Sequence, residues 1–190
     1  MDVVAQPQLL RLLTERLILR PALGGDAAQI QAYHLNNRAH LQPWQPTRPP
    51  GFYDIDSIIR RISFIEHERL AGRGLHLLMC ERQSGEMIGE CNFSNIVLGV
   101  FQACQLGYSL SAQAQGRGLM SEALGKAIAY VFEDLQLHRI MANYRPENER
   151  SARVLSTLGF EREGFARSYL KINGQWADHV LTALINPASG

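Results

Sequence analysis

Apolar residues along this chain switch repeatedly between a period of two and a period near four, and the switches predict its elements. RLILRPA at 16–22 alternates like a strand. Gly24, Gly25 and Asp26 then introduce a helical stretch to about Asn36. Residues 42–54, QPWQPTRPPGFYD, carry four prolines and three aromatics, which block regular pairing and predict an ordered loop or a mobile flap. From Ser57 to Leu70, Ile58, Ile62, Ile65 and Arg69 recur at helical spacing, with Ser57 as N-cap and Gly72 past the end. Strands follow at 74–81, 86–93 and 101–110, turned at Gln83-Ser84-Gly85 and at Leu98-Gly99. Residues 119–134 read as a helix with Leu124, Ala127, Ile128 and Val131 on one face. HRIMANY at 138–144 is a strand, and ERSARVLSTLG at 149–159 is a short helix closed by Gly159. Two last strands, 165–172 and 175–185, are joined by Asn173-Gly174, a strong hairpin signal. Antiparallel strands come first and strand–helix–strand–helix–strand follows, so the fold class is α+β. Neither repeat nor linker divides the 190 residues, and residues 1–190 are expected to form a single domain.

Composition narrows the function. The hydrophobic fraction of 46% is that of a globular protein. No apolar run reaches the length of a membrane span. The opening MDVVAQPQLLRLL lacks a basic head and a small-residue cleavage site, so no membrane partner and a cytoplasmic location are expected. A net charge of +1 argues against a protein held to nucleic acid by a broad basic face. Cys80, Cys91 and Cys104 are odd in number and sit in apolar strand-like segments, which predicts buried free thiols. Histidines and cysteines show no ligand spacing, so no metal is expected.

One stretch carries chemistry. QAQGRGLMSE at 113–122 follows a strand and opens a helix. The first amides of a helix lack intrahelical partners and favour an anion, glycines let the backbone approach it, and Arg117 adds a cation. A nucleotide P-loop is excluded, because Gly118 is followed by Leu119 and Met120 rather than Lys and Ser or Thr. A dinucleotide turn is excluded too: Ser121 stands where a third glycine is needed, and Tyr144-Arg145 where an acid is needed. Taken alone, a glycine turn before a helix is more often structural than functional.

Its surroundings change that balance. Gln115-Gly116-Arg117-Gly118-Leu119-Met120 resembles the pyrophosphate loop of the GNAT acyltransferases, although Met120 stands where Gly or Ala is usual. Asn148-Glu149-Arg150-Ser151 and Leu158-Gly159-Phe160 resemble the second half of that family's acyl-CoA site. With LQPWQP, ECNFSNIV, LGYSL, HRIMANYRPENERS, LGFEREGFA and NGQWADHVL, the chain is similar to the bacterial ribosomal-protein alanine N-acetyltransferase group from about residue 14 to 185.

The resemblance implies a mixed, mostly antiparallel sheet with two splayed central parallel strands, and acetyl-CoA as cosubstrate. It places the pantetheine beside Tyr108, Ser109 and Leu110, with Asn148 bonding that arm, and the pyrophosphate on residues 115–120. The family's usual acidic tyrosine falls at Leu155, so the resemblance points to Ser151 as the donor to the departing thiolate, a residue that is also a plausible helix cap. Glu90, Glu163 and His179 are candidate bases. Trp44, Phe52 and Tyr53 suit a substrate-facing flap, and Trp176 and His179 border the acceptor groove in this fold. The implied reaction acetylates a protein's N-terminal α-amine, with an alanine-first ribosomal protein as acceptor. An α-amine suits a weak base: at pH 7 about a tenth is neutral, roughly two hundred times the fraction for lysine. A small amine such as an antibiotic or polyamine is the alternative acceptor, and a non-catalytic acyl-CoA-binding or ribosome-assembly protein is the alternative class. Oligomeric state is not legible.

Overall fold

The computed structural model describes residues 10–188; residues 1–9, part of the opening read above for a leader, lie outside it. In chain order the elements are β1 (Leu12–Leu13), β2 (Leu17–Arg20), α1 (Ala27–Asn36), α2 (Arg38–Leu41), α3 (Ile55–Leu70), β3 (Leu75–Glu81), β4 (Met87–Val97), β5 (Ala103–Leu110), α4 (Leu119–Glu133), β6 (Arg139–Tyr144), α5 (Glu149–Thr157), β7 (Glu161–Ile172) and β8 (Gln175–Ile185). The strands form one sheet in the order β1-β2-β3-β4-β5-β6-β8-β7. Among the described residues, β5 and β6 are the only neighbours that run parallel. This is the mixed α+β architecture that the element order predicts.

Helices cover both faces of the sheet. On one side α4 and α5 bury Leu17, Leu77, Phe93, Cys104, Leu124 and Ile140. On the other, α1 and α3 bury Ile30, Tyr33, Ile58, Ile62 and Leu78. Burial on both faces explains why β3 reads as a nearly unbroken apolar run rather than a clean alternation. The three cysteines lie on β3, β4 and β5 as buried free thiols.

The parallel pair is short, and this creates the site. Ala103, Cys104 and Gln105 pair with Arg139, Ile140 and Met141, and the pairing stops there. Beyond it β5 stays with β4 as far as Leu110, and β6 stays with β8 as far as Tyr144. The two strands diverge and open a wedge through the sheet. Gly89 keeps β4 tight against the far end of β5, since a Cβ there would lie 2.6 Å from the Ser109 carbonyl oxygen.

Element ends differ from expectation where polar residues hide a strand or a cap. α3 starts at Ile55 behind Asp54, while the Ser57 hydroxyl accepts a bond from Arg60 instead of capping. β4 continues to Val97 through an irregularity at Ser94, where Asn95 has positive φ. β7 begins at Glu161, because an exposed edge strand can be polar on both faces. β5 begins at Ala103, since Gln102 turns the chain with positive φ. The two-residue β1 and the four-residue α2 are too short to leave a period in the sequence.

Candidate active site

A cavity of about 1120 Å³ occupies the wedge between β5 and β6. Gly107 to Leu110 line one wall, and the turn before α4 closes one end. Gly116 and Gly118 each have φ of 73°, a left-handed conformation that other residues adopt at a cost. Gly118 is the N-cap of α4, and no side chain caps that helix. The first amides of α4 are therefore left to the cavity, which Leu119, Met120 and Ser121 line. The Met120 side chain is 6% exposed and belongs to the core, which leaves its backbone at the wall.

Arg117 departs from expectation. Its guanidinium turns away to Glu81 at 3.0 Å, and it is not part of the cavity wall. The ion pair draws the charge outward, so the expected cation is absent from the inner face of the turn. Arg150 and Arg153 of α5 line the cavity in its place. Arg150 donates to the Gln115 side chain at 2.6 Å, and the same amide donates to His40 at 3.0 Å. Arg150 lies inside a quoted motif and Arg153 three residues on, spacing that marks one helix face. His40 comes from α2 and left no sequence signal.

Asn148, not Ser151, caps α5: its side-chain oxygen accepts the Ser151 amide at 3.1 Å. The Ser151 hydroxyl is free of that duty and lies 2.6 Å from the Tyr108 hydroxyl. Burial holds the Tyr108 phenol up at about 12, so it keeps its proton at neutral pH. Leu155, where a tyrosine was sought, is 1% exposed within the core. The phenol near Ser151 comes instead from β5.

Glu90, Ser109, Asn143 and His179 belong to the opposite face of the sheet. Ser109 lies on the wall, and its hydroxyl links Tyr33 at 2.8 Å to Glu90 at 3.3 Å. Glu90 stands behind Ser109 and off the wall, with His76 at 3.0 Å. Burial pushes its carboxyl upward, but the His76 hydrogen bond and the charges of His76, His34 and Arg48 outweigh that and bring it to about 2. Such a carboxylate is anionic at neutral pH and a poor proton acceptor. Glu163 pairs with Arg139, away from the cavity.

The 42–54 segment divides in two. Trp44 lines the cavity with the Arg145 guanidinium 5.7 Å from its ring. Phe52 is clasped between Arg48 and Arg61 at 4.3 and 3.9 Å, with Tyr53 edge-on against it, and neither aromatic reaches the wall. The segment is tied to the β7–β8 turn: the Asn173 amide donates to the Gln45 carbonyl at 2.9 Å, and the Gln42 side chain donates to that of Asn173 at 3.2 Å. Trp176, 65% exposed on that hairpin, lies outside the cavity. No group of three or more metal-binding side chains occurs among the described residues, and none of their helices is long and apolar enough to cross a membrane.

The family model described as an acetyltransferase (GNAT) domain matches residues 16–161. The chain belongs to the GNAT acetyltransferase family. The [ribosomal protein uS5]-alanine N-acetyltransferase of Escherichia coli K12 is 45% identical over 93% of this chain and 91% of its own. The crystal structure of the ribosomal-protein-S5-alanine acetyltransferase from Vibrio fischeri superposes with a TM-score of 0.90 at 37% identity, covering 94% of this chain and 97% of that one. RimJ of Mycobacterium smegmatis, solved in complex with CoA-disulfide, has a TM-score of 0.87 at 30% identity, with 95% and 88% covered. This GNAT chain is an acetyl-CoA-dependent N-acetyltransferase. The wedge suits that cosubstrate: it offers a strand edge without a strand partner, an uncapped helix start for phosphate oxygens, and two arginines.

Proposed function

We propose that this enzyme transfers the acetyl group of acetyl-CoA to the N-terminal α-amine of a protein, and that its acceptor is an alanine-first ribosomal protein. The observation that carries this reading is the similarity, over more than nine-tenths of the chain, to a ribosomal-protein alanine acetyltransferase. Bound acetyl-CoA supplies the activated thioester. The backbone of residues 115–120 holds its pyrophosphate, with Arg150 adding the positive charge that Arg117 does not bring inward. Tyr108, Ser109 and Leu110 offer their strand edge to the pantetheine arm, and Asn148 fixes the start of α5 beside it. Ser151 donates to the departing sulfur, and the Tyr108 hydroxyl steadies it and replenishes the proton.

The acceptor approaches from the opposite face. Trp44 forms its rim on the wall, and Trp176 offers an outer contact on the hairpin. Glu90 acts through Ser109, presenting negative charge to a cationic amine without taking its proton.

The test uses two peptides with internal lysines, one with a free N-terminal alanine and one with that amine blocked. The free peptide is acetylated on its α-amine and the blocked peptide is not, as read by mass spectrometry. Acetylation of lysines in the blocked peptide overturns the α-amine reading. Turnover of a polyamine with neither peptide accepted moves the enzyme to small amines.

A further inference from the structure

Acetyl transfer from an ammonium form requires a group that takes a proton, and Glu90 is poorly suited to it. Its two oxygens are engaged by His76 and Ser109, and it stands behind the wall. Across the wedge, His179 has the opposite character. It is 4% exposed and lines the cavity. Its Nδ1 lies 3.0 Å from the Ala177 carbonyl oxygen. A carbonyl only accepts, so Nδ1 carries a hydrogen, and in the neutral ring the lone pair sits on Nε2. That nitrogen has no hydrogen-bond partner among the described residues, and it is not a sealed polar atom. A buried imidazole with one nitrogen fixed by backbone and the other open to the cavity is oriented as a proton acceptor.

The surroundings hold the ring in place. Tyr169 of β7 packs against it at 5.6 Å between centroids, and Asn143 of β6 donates to the Tyr169 hydroxyl at 3.3 Å. Asp178, its chain neighbour, is occupied by the Ser168 amide. Tyr144 and Arg145 at the end of β6, and His40 of α2, share the cavity wall. Among these groups none hydrogen-bonds to Nε2.

We propose that His179 is the general base, and that its Nε2 removes a proton from the acceptor's α-ammonium group. This rests on the α-amine reading above. The neutral amine then attacks the thioester carbonyl carbon: a C–N bond forms, the C–S bond breaks, and the electron pair leaves on sulfur. The nitrogen sheds two protons in passing from ammonium to amide. One goes to His179 and on to solvent, and the other balances the proton that sulfur receives from the Ser151–Tyr108 pair.

The experiment is His179→Ala with an alanine-first peptide, compared with the wild type. We expect kcat to fall about 100-fold near pH ~7, the lower end of general-base effects. The deficit narrows toward pH ~9, where the α-amine deprotonates unaided. Added imidazole restores about tenfold of the loss, in proportion to its neutral form. Acetyl-CoA affinity by calorimetry stays within about twofold, because the ring lies on the acceptor side. His179→Gln, which keeps bulk and a donor but no base, shows the same pH-dependent deficit if the alanine variant folds poorly. A folded variant with wild-type kcat at pH ~7, or a loss that neither pH nor imidazole relieves, overturns the proposal. Failure of the wild type to acetylate the peptide sinks the α-amine reading instead.

Discussion

The two sides of the wedge are built from different materials. The side proposed for the cofactor is made largely of backbone: a strand edge, two left-handed glycines and the uncapped start of α4. Its pieces lie within runs of ten residues or so, and side chains play a supporting part. The side proposed for the acceptor is made of side chains from separate elements: Trp44 before α3, Ser109 on β5, Asn143 on β6 and His179 on β8. One cosubstrate can be met by a fixed backbone cradle. A variable acceptor is met by side chains that substitution can alter without disturbing the cradle.

The contrast is breakable by mutation. The largest effect is expected from Gly118→Val. A β-branched residue at φ of 73° costs at least ~1–2 kcal/mol, and the turn must shift to relieve it. Lost amide contacts to a charged group add about 1.5–3 kcal/mol, so acetyl-CoA binds about 100-fold more weakly in calorimetric titration. Gly99 has the same φ with nothing near its Cβ, so Gly99→Val carries similar strain far from the cavity and leaves affinity unchanged. Equal affinities for the two variants would dissolve the backbone account of this side.

Ser151→Ala is expected to come next. The residue does not cap α5, so stability is little altered, and kcat falls on the order of tenfold at nearly constant acetyl-CoA affinity. A lowered melting temperature with full turnover would return Ser151 to a structural role. The smallest effects are expected at Trp44 and Glu90. Trp44→Ala and Glu90→Gln each raise the peptide KM about three- to fivefold and leave the acetyl-CoA KM alone. Movement of both KM values together would mean that the two sides are not separable.

Legibility from sequence follows the same division. The glycine turn and the Asn173-Gly174 hairpin, whose φ angles are 47° and 81°, are local features that glycine and asparagine announce. That Arg117 leaves the cavity wall while Arg150 lines it is not local, because it depends on where Glu81 lies. The Tyr108–Ser151 contact joins residues 43 apart. Alternation puts Tyr108 on the face of Leu106 and Leu110, but no period says that α5 crosses over it. The 42–54 loop reads as aromatic, yet only Trp44 reaches the cavity. Phe52 is taken by two arginines, one of them from α3, beyond the loop itself.

Each turnover frees a thiol, and the placement of the cysteines decides what that thiol can do. Disulfide exchange needs a thiolate and a path for the attacking sulfur. Burial pushes Cys91 and Cys104 up to about 12 and raises Cys80 as well, which removes the thiolate. The wall of the wedge carries no cysteine among the described residues, which removes the path. Oxidised coenzyme A is therefore expected to compete with acetyl-CoA only reversibly. In an oxidant-stressed solution this enzyme is expected to lose activity by occupancy, restored on dilution, and not by covalent capture of its own product.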